Sequence, residues 1–167
     1  DYYAMAIRFA ISNGAHIINI SGGFPQHLLS EQFEKAIEEA TNANIPIVAS
    51  AGNNSKDLPV YPCRHQDVIC VGSINNRAEY SKDTNYSQSV DMLAPGEHIV
   101  STYPLDLEST IIRKYGYEAL DGNSQAAPLV SAAIANMLVA NPKLSIDQIK
   151  AKLFSTTQSI QRGEKFS

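Results

Sequence analysis

The sequence predicts an α/β domain built on a mainly parallel sheet, with helices on both faces. Helical and extended segments alternate along the 167-residue chain, an order typical of parallel sheets. The extended segments are continuously apolar, as expected for strands covered on both faces. Hydrophobic residues make up 44% of the chain and charged residues 18%, which favours a folded core over a disordered chain. The length fits one domain, residues 1–167.

In the first half of the chain, two helices and three strands are predicted. Residues 3–13 form a helix because apolar side chains recur at helical spacing and Asn13-Gly14 provides a stop. The helix over residues 30–42 has Ser30 as its N-cap. Three short apolar runs bounded by turn residues are strands: residues 16–21, 45–50 and 67–72.

The second half adds short strands and two helices. The strands are predicted at residues 90–94, 99–102 and 117–120, with a surface excursion at 105–116. Residues 124–140 form a helix with small apolar residues on all sides, which predicts complete burial. Pro128 lies near its start, where a missing N–H costs little. Residues 145–155 form an amphipathic helix capped by Ser145.

Composition excludes several classes of function. The net charge of −4 offers no basic patch for nucleic acid or an anionic membrane surface. The longest apolar stretch, residues 126–140, is shorter than the ~18 residues that suggest a membrane span. A nucleotide-binding domain is disfavoured because neither G-x-G-x-x-G nor G-x-x-x-x-G-K-[ST] occurs.

A sheet of so few strands would leave an exposed apolar edge, so we expect further strands before Asp1.

Ser124 is the first candidate for chemistry. It follows Gly122-Asn123 at the N-terminus of a predicted helix, where the helix dipole favours a developing negative charge. A serine in that position can act as a nucleophile if a base reaches it. Alternatively, Asn-Ser before an apolar helix is an ordinary N-cap pair.

Two strand ends are further candidates. Residues 49–54 read A-S-A-G-N-N, which places the Asn53 amide at the carboxyl edge of the sheet, where it can donate to an oxyanion. Residues 18–23 read I-N-I-S-G-G, a strand end able to pair with an extended peptide. Taken singly, the pattern at residues 49–54 favours an ordinary turn, and residues 18–23 can equally be a plain exit from strand to loop.

Together, the order and spacing of these segments resemble the C-terminal part of a subtilisin-like (subtilase, S8-type) serine endopeptidase domain. Residues 122–128, G-N-S-Q-A-A-P, match the nucleophile motif G-T-S-x-A-x-P with Asn for Thr. Residues 51–53 match the oxyanion motif A-G-N, and residues 21–23 match the substrate-pairing S-x-G. The resemblance extends from about residue 3 to residue 156 and implies part of a doubly wound, mainly parallel subtilisin-like sheet.

The resemblance implies a role for each matched residue. Ser124 would be the nucleophile, and Asn53 with the Ser124 N–H would form the oxyanion hole. A polypeptide substrate would lie between residues 21–23 and 49–52, with Val60 at the base of the specificity pocket. The uncharged base favours apolar or small substrate residues. The implied substrate-binding residues are Ser21, Gly22, Gly23, Ser50, Ala51, Gly52, Val60 and Asn123.

The chain also departs from the family pattern. The aspartate motif D-[ST]-G and the histidine motif H-G-[TS]-H are absent, and none of the histidines precedes glycine. We therefore expect a protein piece whose partner is the missing N-terminal part, and which is inactive alone because Ser124 lacks a base. Asn123, Leu129 and Ser131 replace the usual Thr, His and Gly. These changes leave two alternatives: a pseudoprotease that binds peptides, or a specialised subgroup like the bacterial proteases that mature ribosomal peptides.

Two cysteines and three glycosylation sequons bear on the compartment. Cys63 and Cys70 either form a disulfide, which implies an oxidising compartment, or pack as reduced thiols. Secretion is favoured by the resemblance and by that possible disulfide. Asn85 is the one sequon predicted to be an acceptor, in a eukaryotic secreted protein.

No cofactor is required; the resemblance implies a structural calcium near the carbonyls of residues 63–68, although no acidic cluster predicts one.

Overall fold

The computed structural model describes residues 1–104 and 116–160, and it confirms the α/β fold with a parallel sheet. A four-stranded parallel sheet has the order β1-β2-β3-β4, and β5 and β6 form a separate antiparallel pair. The strands are β1 (Ile18–Ile20), β2 (Ile47–Ser50), β3 (Val68–Ile74), β4 (Met92–Pro95), β5 (Ile99–Thr102) and β6 (Tyr117–Leu120). Most of the predicted surface excursion, residues 105–115, lies outside the described residues.

The four helices begin and end within two residues of the predicted positions. They are α1 (Tyr2–Ser12), α2 (Glu31–Asn42), α3 (Asn123–Ala140) and α4 (Ile146–Thr156). Asp1 caps α1 by accepting from Tyr3 N, and Ser30 caps α2 by accepting from Phe33 N. Ser145 begins a capping box at α4. A 3₁₀ turn at Gln26–Leu28 was not predicted.

The core lies on both faces of the sheet because alternate residues of β2 point in opposite directions. Ile47 packs into the cluster beneath α1 and α2, which includes the fully buried Phe33 and Ile37. Val48 packs into the opposite cluster, beneath α3 and α4. Every residue of β2 is buried, which explains why its sequence is continuously apolar.

The prediction that α3 is buried on all sides is wrong for the described chain. Val130 and Ile134 face the sheet and are buried, but Leu129 is 41% exposed and Val139 is 84% exposed. α3 contacts the strands through one face, and within residues 1–104 and 116–160 no second layer covers the other face. β1 is likewise an edge strand, and its Asn19 is exposed.

Cys63 and Cys70 form a disulfide, which decides between the two alternatives left by the sequence. Both residues are buried, and the bond joins the segment after Tyr61-Pro62 to β3. Across the described residues, no helix combines the length and the hydropathy of a membrane span.

Candidate active site

The three candidate segments meet at the carboxyl edge of the parallel sheet. Ser21 follows β1, Asn53 follows β2, and Ser124 is the second residue of α3. The segments are joined directly: Asn123 N donates to Asn53 Oδ1 at 3.0 Å, and Ser21 Oγ donates to Ser124 O at 2.8 Å. Parallel strands deliver their carboxyl ends to one edge, which is where open α/β sheets bind ligands.

Two reciprocal hydrogen bonds tie Ser21 to Ser124. The Ser124 hydroxyl donates to the Ser21 carbonyl at 3.1 Å, and the Ser21 hydroxyl donates to the Ser124 carbonyl. Pro128 explains why the second bond is available, since a proline four residues on removes the N–H that would bond this carbonyl. The sequence predicted that Pro128 lies near the start of the helix, where a missing N–H costs little. Pro128 lies inside α3 instead, and the hydrogen bond that its N–H would have made to the Ser124 carbonyl is replaced by one from the Ser21 hydroxyl.

The Asn53 side chain is oriented by the start of α3. Its Oδ1 accepts from Asn123 N, which leaves Nδ2 as the free donor end of the amide. A Cβ atom at Gly122 would lie 3.1 Å from Asn53 Nδ2, so the amide packs closely against that glycine. The Ser124 N–H belongs to the first turn of α3, whose N–H groups have no acceptor within the helix. Asn53 and Ser124 thus present two donors at one edge.

Asn123, predicted to bind substrate, is 0% exposed, and its side chain is bonded within the protein. Its Nδ2 donates to Gly52 O at 2.6 Å, and its Oδ1 accepts from Thr84 Oγ1 at 2.9 Å. The side chains of Ser50 and Ala51 are also buried, so a substrate could meet that segment only through its backbone.

Sequence reasoning missed Asn85 as a residue of the site. Its side chain is 0% exposed; Nδ2 donates to Ala51 O at 2.9 Å and to Leu58 O at 3.1 Å, and Oδ1 accepts from Asn54 N at 3.0 Å. The prediction of glycosylation at Asn85 is therefore wrong. No local signal reveals this role, because the bonded residues lie 27 to 34 positions away.

Val60 lies between two glycines of the cleft. A Cβ atom at Gly23 would lie 3.1 Å from Val60 Cγ2 and 2.8 Å from Tyr61 O, and one at Gly52 would lie 3.7 Å from Val60 Cγ2. Reciprocal backbone bonds between Phe24 and Tyr61 hold the two segments together. None of Gly23, Gly52 and Val60 carries a charge.

The segment over residues 63–68 fits a calcium ion poorly. Of the two nearby carboxylates, Asp67 lies 3.9 Å from His65 Nδ1, and Asp91 already accepts from Cys70 N at 2.8 Å. Lys150 Nζ donates to the Gln66 carbonyl at 3.0 Å, which places a positive charge where a cation would bind. In the described part of the chain, no group of three or more His, Cys, Asp or Glu could hold a metal. Calcium binding stays a prediction of the resemblance.

Comparison with known proteins identifies the family. The sequence profile of the Subtilase family matches residues 1–166. The chain belongs to the subtilase family. Subtilisin BL of Lederbergia lenta is 35% identical over 160 residues, covering 94% of this chain and 54% of that protein. Subtilisin DY of Bacillus licheniformis is 31% identical over 164 residues, covering 96% of this chain and 55% of that protein. The subtilase chain spans about half the length of these curated relatives.

Solved structures agree with this assignment. The patellamide maturation protease PatA superposes with a TM-score of 0.81 at 28% identity, covering 96% of this subtilase chain and 59% of that chain. A cold-adapted subtilisin-like serine proteinase has a TM-score of 0.81 at 24% identity, covering 97% of this chain and 56% of that chain, which shows the shared fold.

Proposed function

We propose that the complete protein is a serine endopeptidase, to which this chain contributes the nucleophile Ser124, the oxyanion donor Asn53 and most of the substrate cleft. The observation that carries the proposal is the bond from Asn123 N to Asn53 Oδ1, which fixes the Asn53 side chain beside the helix start that bears Ser124 and leaves its Nδ2 donor unused. Membership of the subtilase family supports it.

The proposed chemistry is acyl transfer. Ser124 Oγ attacks the carbonyl carbon of a peptide bond, a base takes its proton, and the carbonyl oxygen becomes an oxyanion. Asn53 Nδ2 and the Ser124 N–H donate to that oxyanion. The C–N bond then breaks as the proton passes to the leaving amine, and water hydrolyses the ester in a second, equivalent cycle.

The base must come from outside this chain. In the described part of the chain, the Ser124 hydroxyl donates to a backbone carbonyl, which cannot act as a base at neutral pH. We infer that the remaining part of the protease domain supplies the histidine and aspartate, and that residues 1–167 alone do not turn over a substrate.

The cleft favours an extended polypeptide with a small or apolar residue before the cut bond. Residues 21–23 follow β1 at the carboxyl edge of the sheet, where an extended peptide could pair with their backbone. The family resemblance places the base of the specificity pocket at Val60, and neither Val60 nor the adjacent Gly23 and Gly52 carries a charge. The disulfide supports an oxidising compartment and hence secretion.

The experiment that tests the function is Ser124→Ala in the complete protein, with Ser155→Ala on exposed α4 as the matched control. We expect peptide hydrolysis to fall by roughly 10⁶-fold, a magnitude known from subtilisin itself. Labelling by a fluorophosphonate should vanish with Ser124→Ala and persist with Ser155→Ala. Unchanged hydrolysis in Ser124→Ala would exclude the assignment.

A second candidate is a catalytically inactive subtilase that binds peptides or protein partners along residues 21–23. The bond from the Ser124 hydroxyl to Ser21 O favours it, because this hydroxyl is held by a carbonyl rather than activated. It predicts peptide binding that survives Ser124→Ala and no fluorophosphonate labelling of the complete wild-type protein. Rapid labelling at Ser124 would exclude it.

A further inference from the structure

The carbonyl of Gly52 is fixed by two buried asparagines. It accepts from Asn123 Nδ2 at 2.6 Å and from Asn85 N at 2.9 Å, so both of its lone pairs are used. Gly52 has a φ of +92° and directly precedes Asn53. The orientation of the peptide plane between these two residues therefore sets the position of the Asn53 side-chain amide.

Asn85 holds the chain on both sides of Asn53. Before Asn53, its Nδ2 binds Ala51 O; after Asn53, its Oδ1 accepts from Asn54 N. A Cβ atom at Gly52 would lie 2.7 Å from Asn85 Nδ2, so the side chain fits against the loop with no space to spare. A third bond, from Nδ2 to Leu58 O, means that this one buried amide holds three backbone atoms of the loop around the oxyanion donor.

Thr84 sets the direction of the Asn123 amide. Its hydroxyl donates to Asn123 Oδ1 at 2.9 Å, which leaves Nδ2 as the end that faces Gly52 O. Thr84 Oγ1 in turn accepts from Ser73 N on β3 at 3.1 Å. Thr84, Asn85 and Asn123 are all 0% exposed. A buried polar network with all its bonds made is rigid, and breaking one bond leaves a costly unsatisfied group.

We propose that Asn85 and Asn123 are positioning residues of the oxyanion hole, with Thr84 as the group that orients Asn123. Buried beneath the loop, they touch no substrate and act through the Gly52–Asn53 peptide. The proposal rests on the proposed function, since it assigns these residues to the oxyanion donor of that reaction.

The test is a double-mutant cycle in the complete protein. Asn123→Ala and Asn85→Ala should each lower kcat by roughly 10- to 100-fold with KM nearly unchanged. In an Asn53→Ala background the same changes should cause almost no further loss, because their effect passes through Asn53. Full multiplicative losses in that background would overturn the proposal.

Asn44→Ala is the matched control. Asn44 also makes two side-chain bonds to backbone, donating to Leu144 O at 2.9 Å and accepting from Ile146 N at 3.0 Å, but at the amino edge of the sheet. It should lower Tm and leave kcat unchanged. If Asn44→Ala lowers kcat as much as Asn123→Ala, general loosening explains the effect and the proposal is wrong.

A second pair of variants covers the case in which the alanine variants do not fold. Thr84→Val keeps the shape of the side chain but removes the hydroxyl, and Thr84→Ser keeps the hydroxyl. We expect kcat to fall with valine and to recover with serine; equal kcat values in both would overturn the proposal. Absence of fluorophosphonate labelling in the wild-type protein would instead remove the proposed function, and this inference with it.

Discussion

The two edges of the parallel sheet are held together by different contacts. At the carboxyl edge, the buried Asn85 and Asn123 bind the backbone of the loop that carries Asn53. At the amino edge, the exposed Asn44 connects the end of α2 to the start of α4, and apolar packing beneath α1 and α2 extends along the face of the sheet. The difference separates two tasks: one edge positions donor atoms, and the other maintains the folded state.

A core substitution under α2 should have the largest effect on stability. Ile37 is 0% exposed within the cluster beneath α1 and α2. Ile37→Ala should reduce the free energy of unfolding by about 2–5 kcal/mol, because it removes buried methyl groups and leaves a cavity. Denaturant unfolding of the complete protein measures this, with Ile37→Val as the milder control. A lowered kcat at unchanged stability would contradict the division between the two edges.

Removing the proposed oxyanion donor should lower kcat far more than it lowers stability. Asn53→Ala should lower kcat by roughly 10²–10³-fold, the magnitude known from subtilisin, because the transition state loses one hydrogen bond. Tm should fall only modestly, by an amount typical of a lost helix N-cap, because Asn123 N at the start of α3 loses its acceptor Oδ1. Steady-state kinetics and a thermal melt measure both quantities. The neighbouring Asn54→Ala is the control, and a similar loss of kcat there would argue against a specific donor.

The cap of α2 should give a smaller effect on stability alone. Ser30 Oγ accepts from Phe33 N at 3.1 Å and also contacts the Asp1 carboxylate. Ser30→Ala should cost about 0.5–2 kcal/mol of unfolding free energy because one helix N–H loses its acceptor. Ser30→Asn should recover most of the loss in the same unfolding assay, because asparagine also caps a helix and adds no second negative charge beside Asp1. No loss with alanine would show that water satisfies this N–H equally well.

The smallest expected effect is a pH dependence at Asp91. Partial burial raises the pKa of this carboxyl; the bond from Cys70 N and the charge of Lys150 act in the opposite direction. A raised folded-state pKa means that the stability contribution is complete below the unfolded pKa and is lost as pH rises through the folded pKa. Asp91→Asn should therefore gain stability relative to the wild type as pH rises through the acidic range. Unfolding curves of both proteins between pH 3 and pH 7 measure this difference, and a variant that loses stability relative to the wild type over that range would contradict the sign.

Much of the fold could be predicted because its signals are local. The capping box of Ser145 and Gln148 lies within four residues, and the apolar runs of β2 and β3 mark buried strands directly. The exposure of α3 could not be predicted in this way. Its composition is apolar all round, so the sequence does not show which side packs on the sheet.

The candidate site likewise contains residues that could be predicted from the sequence and residues that could not. The motifs place Ser124 and Asn53 near each other, and the structure joins them through Asn123 N. The supporting network could not be predicted, because Asn123 binds Gly52 across 71 residues and Thr84 across 39. Asn85 was misread as a glycosylation acceptor because an N-x-S sequon says nothing about burial.

Pro128 has one more consequence. By withholding an N–H, it opens the Ser124 carbonyl to Ser21, and the returning bond from the Ser124 hydroxyl closes a ring between the end of β1 and the start of α3. The segment that would align a peptide and the hydroxyl that would attack it are thus held at a fixed distance from each other. A peptide paired with residues 21–23 would present one particular bond to Ser124, and a shift of the pairing by one residue would present a different bond.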